Sequence, residues 1–156
     1  MIPASSGTLV TRSAGETRAW GRALGATLKP GDVVALTGPL GAGKTTLAKG
    51  LAEGLGCPDP DAVCSPTFTL IQELEARHPL CHMDAYRLPE GGEEDTGLSD
   101  YLDGDWVILV EWADRIGEFL PEHAIWVDLA HEGPADRRIV WSRGMPGAQD
   151  GEEAPL

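Results

Sequence analysis

Eight consecutive residues, Gly38-Pro39-Leu40-Gly41-Ala42-Gly43-Lys44-Thr45, satisfy the spacing G-x-x-x-x-G-K-[ST] at every fixed position. The chemistry this spacing serves is capture of a polyphosphate. Glycines let backbone N–H groups turn inward around anionic oxygens where a Cβ would clash, and the N-terminus of a following helix adds partial positive charge. Gly38, Leu40, Gly41, Ala42, Gly43, Lys44, Thr45 and Thr46 are the expected nucleotide-binding residues. Lys44 is expected to reach the β and γ phosphates, and the Thr45 hydroxyl to bind Mg²⁺.

Further chemistry is expected where strands end, because ligands of open α/β sheets gather at the carboxyl ends of the strands. Asp84 closes the segment Leu80-Cys81-His82-Met83-Asp84, and Glu111 follows the apolar run Val107-Ile108-Leu109-Val110. A phosphate-bound Mg²⁺ needs a carboxylate besides the P-loop hydroxyl, and Asp84 fits that role. Hydrolysis also needs a group to orient or deprotonate water. Glu111, fixed and partly desolvated at a strand end, is the candidate base. Thr67, in Ser65-Pro66-Thr67, is placed to present its hydroxyl to Mg²⁺ or the γ-phosphate, or simply to make a turn. His82 reads as a core histidine with its hydrogen bonds satisfied. Trp112 either stacks on a ligand or fills the core, and the sequence leaves both open. Arg87 and Arg115 are candidates for a charge-stabilising arginine, with surface ion pairing the default for each. The chain contains no asparagine, so it cannot carry the Asn-Lys-x-Asp guanine motif, and adenine is favoured.

The elements needed to hold these groups are legible. Val33-Val34-Ala35-Leu36 is a continuous apolar run, as in a strand buried on both faces. Leu47, Leu51 and Leu55 mark one face of the helix after the glycine loop. Upstream, Thr8 to Thr11 reads as a strand. Ser13 with Glu16 forms a capping-box signature for a helix whose Trp20, Leu24 and Leu28 share a face. Phe68 to Leu74 reads as a strand forming a hairpin with Leu80 to Asp84 across a turn at Ala76 to Pro79. A short helix is expected around Gly97 to Leu102, another over Ala113 to Leu120, and strands over Ile125 to Leu129 and Arg138 to Trp141. The whole predicts an α/β P-loop domain of three layers with a mixed, mainly parallel sheet. It is a single domain over residues 1–143, with residues 144–156 an acidic tail expected to be disordered.

Composition narrows the function classes. With 156 residues, 42% of them hydrophobic, the chain can build one sizeable core. A net charge of −13 argues against an extended nucleic-acid surface. Pro89 to Asp105 holds seven carboxylates and no Lys or Arg, which reads as a solvated loop. Three cysteines without C-x-x-C spacing read as free thiols in a reducing compartment, and the histidines form no zinc pattern. No apolar run suits a membrane span and no signal-peptide layout opens the chain, so a cytoplasmic location is expected.

Four blocks stand in order: Gly38 to Thr46, Ser65-Pro66-Thr67-Phe68-Thr69-Leu70, His82-Met83-Asp84-Ala85-Tyr86-Arg87-Leu88, and Leu109-Val110-Glu111-Trp112. Together they resemble the TsaE (YjeE) ATPase family of bacteria. The resemblance implies ATP and Mg²⁺ as cofactors, with ATP bound and hydrolysed on a complex of TsaD with TsaB during synthesis of threonylcarbamoyladenosine in tRNA. It implies that tRNA is engaged only indirectly and that the group is transferred by the partner. By position, Lys44, Thr67 and Glu111 match catalytic residues, Thr45, Asp84, Thr67 and Glu111 the surroundings of the metal, and Glu111 with Trp112 an active-site pair. Pro39 departs from the family, many of whose members carry Asp there. Two other readings are a small-molecule kinase of P-loop type, which the lack of an arginine-rich lid after Arg87 disfavours, and a nucleotide-dependent binding module with little hydrolysis.

Overall fold

The computed structural model describes residues 6–39, 41–63, 71–85 and 98–144. Leu40, Thr67, Arg87, most of the acidic segment and the C-terminal tail, all singled out above, lie outside the described residues. A seven-stranded sheet runs through the described residues in the order β1-β7-β6-β2-β5-β4-β3. Its strands are β1 (Ser6–Thr11), β2 (Val33–Thr37), β3 (Ile71–Leu74), β4 (Leu80–Asp84), β5 (Val107–Glu111), β6 (Ile125–His131) and β7 (Arg137–Arg143). The four central strands β6, β2, β5 and β4 pair in parallel, and β1, β7 and β3 add antiparallel edges. The sheet is therefore mixed with a parallel centre, as expected.

Helices cover both faces. On one, α1 (Ala14–Gly25) and α2 (Lys44–Gly54) set Leu24, Leu47, Leu51 and Leu55 over Val34, Leu36, Leu109 and Val127. On the other, Leu98 of α3 (Leu98–Leu102) and Ala113 and Ile116 of a 3-10 segment (Ala113–Phe119) meet Val33, Ala35, Met83 and Val110. Alternate residues of β2 thus feed opposite cores, the period-2 consequence of a strand buried on both sides.

Four elements differ in detail from expectation. The cap of α1 is present, with the Glu16 N–H donating to Ser13 Oγ at 3.1 Å, but Glu16 Oε1 accepts from the N–H of Arg12 rather than of Ser13. That helix ends at Gly25; Leu28 lies beyond it yet is 2% exposed in the same core. The segment after Trp112 is 3-10 and kinked at Ile116 rather than one α-helix, and β6 and β7 are longer than the apolar runs marking them because they form a hairpin.

The contact between α1 and α2 carries the P-loop helix. Gly21 and Gly25 face the carbonyls of Leu47 and Leu51, while Gly50 and Gly54 face those of Arg18 and Arg22. A Cβ at any of the four would collide with backbone oxygen, which no side-chain rotation relieves. Gly50→Ala is therefore expected to destabilise the fold by about 2 kcal/mol, as overpacking does. Gly15→Ala, near the start of α1 with only Ser13 Oγ within reach at 3.7 Å, should instead stabilise it by about 0.5 kcal/mol. Thermal or denaturant unfolding of the two variants checks both signs.

Candidate active site

Parallel pairing brings the carboxyl ends of the central strands into one row. Leu36 pairs with Glu111 and Glu111 with Asp84, so both carboxylates stand level with the last residues before the glycine loop. The loop leaves β2 through Gly38, whose φ of 137° and close approach to the Leu129 carbonyl exclude a side chain. It enters α2 at Gly43, in the left-handed region at φ 101°. Pro39 lacks an N–H, but its carbonyl accepts from Ala42 N–H at 3.2 Å and from Lys44 Nζ at 2.9 Å.

Lys44 is 6% exposed. Its ammonium donates to the Gly38 carbonyl at 2.6 Å and lies 4.2 Å from the centre of the Trp112 ring, a cation–π contact. Burial pushes its pKa below the ordinary lysine value, and the charges of Glu111, Asp84, Asp114 and Asp128 act against that shift. Trp112 reaches this position by taking φ 58°, making it the only non-glycine residue with positive φ among those described. Such a conformation costs a bulky residue on the order of 1–2 kcal/mol, and here it turns the chain abruptly from β5 into the 3-10 segment.

Beside these groups lies a cleft of about 440 Å³, lined by Gly41, Gly43, Lys44, Thr45, Thr46, Glu111 and Trp112 on the loop side. Its far wall, from Ala14 and Thr17 of α1 and Pro134, Ala135 and Arg137 of the β6–β7 turn, was not anticipated. Arg137 donates to the carbonyls of Gly41 at 3.2 Å and Asp136 at 2.9 Å, which sets a cation at the cleft with no carboxylate partner among the described residues. Arg115, proposed from sequence as a charge-stabilising group, is exposed and not part of the lining. Nothing local in the sequence distinguishes Arg137 from Arg138, which pairs with Glu132 at 2.6 Å; only strand alternation after the turn separates them.

Asp84, Glu111 and His82 are all buried. His82, expected to be a satisfied core residue, is satisfied by the candidate base itself: its Nε2 lies 2.7 Å from Glu111 Oε2. Thr37, the last residue of β2, donates to Asp128 Oδ1 of the neighbouring β6 at 2.6 Å, adding a further acid beside the loop. Thr45 is exposed. No three His, Cys, Asp or Glu residues among those described are grouped to hold a metal by themselves, which leaves hydroxyl and isolated carboxylate oxygens as the available donors. No helix among these residues is long and apolar enough to cross a membrane.

The family profile described as "TsaE: Threonylcarbamoyl adenosine biosynthesis protein TsaE" matches residues 11–139. The chain is 47% identical over 128 residues to tRNA threonylcarbamoyladenosine biosynthesis protein TsaE of Bacillus subtilis, covering 81% of this chain and 79% of that one. It is 40% identical over 132 residues to the protein of the same name from Treponema pallidum, covering 84% and 96%. The crystal structure of Bacillus subtilis YdiB superposes with a TM-score of 0.73 at 36% identity, over 93% of this chain and 90% of that one. With the P-loop, the buried strand-end acids and the cleft between them, these matches mean that the chain belongs to the TsaE family.

Proposed function

We propose that this chain binds Mg·ATP in the P-loop cleft and hydrolyses it to ADP and phosphate in support of tRNA threonylcarbamoyladenosine synthesis, docked on a TsaD–TsaB complex. The observation that carries the reading is the convergence on one cleft of a glycine loop, a buried lysine, an exposed helix-head threonine and a strand-end glutamate, in a chain of the TsaE family.

The phosphates would replace the Gly38 and Pro39 carbonyls as partners of Lys44, while the loop N–H groups and the head of α2 face the anion. Arg137 and the β6–β7 turn bound the remaining space, which suits the nucleoside. A triphosphate beside Asp84, Glu111 and Asp128 concentrates negative charge, which a divalent cation would offset. The donors are oxygens, as Mg²⁺ prefers: the Thr45 hydroxyl and the Asp84 carboxylate, with Thr67 and Glu111 nearby in the family pattern. Bound there, Mg²⁺ would neutralise charge developing on the phosphates. Glu111 orients water and takes its proton as the water oxygen bonds to the γ-phosphorus and the bridging P–O bond breaks, leaving ADP.

Lys44→Ala should weaken binding of Mg·ATP by about 10- to 100-fold, the value of one or two charge-assisted hydrogen bonds, and abolish turnover. Calorimetric titration beside a phosphate-release assay checks both, and unchanged affinity in the folded variant refutes the site. ATP should outcompete GTP, since no guanine-reading motif is present; equal affinities in a competition titration would remove adenine selectivity. Glu111→Gln should keep affinity for a non-hydrolysable ATP analogue within a few fold while losing roughly two or more orders of magnitude in hydrolysis stimulated by TsaD and TsaB. Surviving turnover means Glu111 is not the base; affinity lost with turnover makes it a structural or metal-side group.

A further inference from the structure

The β-ladder places three polar side chains on the α2-facing side of the sheet, two of them buried and Gln72 half-buried. Gln72 pairs directly with His82 across β3 and β4, and Glu111 lies one diagonal step away on β5. His82 is 0% exposed and Glu111 2%. Gln72 Nε2 donates to the Ala62 carbonyl at 2.9 Å. That contact settles the amide: its nitrogen faces a carbonyl, so its oxygen faces His82 Nδ1, 3.3 Å away. An amide oxygen only accepts, so Nδ1 carries the proton. The other ring nitrogen, Nε2, lies 2.7 Å from Glu111 Oε2.

We propose that His82, its ring set by Gln72, is the positioning residue of Glu111: it holds Oε2 and thereby turns Oε1 to the cleft. The inference rests on the hydrolytic reading above and assigns the histidine a part in it. A buried carboxylate without a partner is costly, and the largest favourable charge interaction of Lys44 is with Glu111. With Oε2 committed to His82, Glu111 is kept from collapsing onto the lysine, whose ammonium stays available for phosphate. His82 acts through Glu111 and touches neither nucleotide nor water.

The test compares His82→Ala and His82→Gln in the wild-type and Glu111→Gln backgrounds. Glutamine offers an N–H near the position of Nε2. His82→Ala should lose about 100-fold or more in partner-stimulated kcat while binding the non-hydrolysable analogue within a few fold, and His82→Gln should recover a tenth or more of the wild-type rate. In the Glu111→Gln background, His82→Ala should cost less than about twofold, since the group it serves is gone. Near-normal kcat for folded His82→Ala, or the same loss in both backgrounds, overturns the proposal. Should His82→Ala fail to fold, ring nitrogen-15 spectra of full-length protein decide: Nδ1 protonated, with an Nε2 signal that moves in Glu111→Gln and not in Thr45→Ala. An Nε2 signal indifferent to Glu111→Gln refutes the pairing. A wild-type protein that shows the pairing yet no hydrolysis overturns the ATPase reading and leaves the pairing standing.

Discussion

Register across the parallel centre of the sheet is the constraint from which the rest follows. Hydrogen-bonded pairing of β2 with β5 and of β5 with β4 leaves no freedom in where these strands end relative to one another. Because the side-chain period is two, a slip of one residue would turn Glu111 and His82 into the opposite core and bring Val110 and Met83 toward α2. The hydrophobic residues that forbid this slip therefore also place the carboxylates. Packing and chemistry are specified by one alternation.

Onto that frame the chain adds groups that are unfavourable unless answered. Lys44 is a cation with little solvent, answered by two loop carbonyls and an aromatic face. Glu111 is a carboxyl group with almost none, answered by His82. Trp112 adopts a left-handed backbone, held because Ala113 and Ile116 just beyond it are anchored in the core. Each is a local departure from what packing alone would choose, and all are gathered at the same strand ends. Such concentration is the physical signature of a site rather than of a scaffold.

What was legible in the sequence was what rests on neighbours in the chain. The glycine loop, the apolar runs of β2 and β5, the cap of α1 and the acids at strand ends all announce themselves within a few residues. The contribution of Arg137 does not, because it depends on β7 returning beside β6 more than ninety residues after the loop it overhangs. The pairing of His82 with Glu111 was hidden for the same reason: an isolated histidine among apolar residues looks alike whether its partner is a backbone carbonyl or a buried carboxylate. The kink at Ile116 reflects the demand of the Trp112 turn, which overrides the local helical preference of Ala113 to Leu120.

The glycine seam between α1 and α2 has a mechanical meaning. Two helices whose backbones touch through four glycines have no side-chain cushion to slide on, so they behave as one body. Ala14 and Thr17 on α1 and the P-loop residues at the head of α2 are both walls of the cleft, and their spacing is set by this seam. The width of the opening at that side is a dimension of the backbone. Accommodation of a guest is left to the side chains that complete the lining, Trp112 and Arg137 among them.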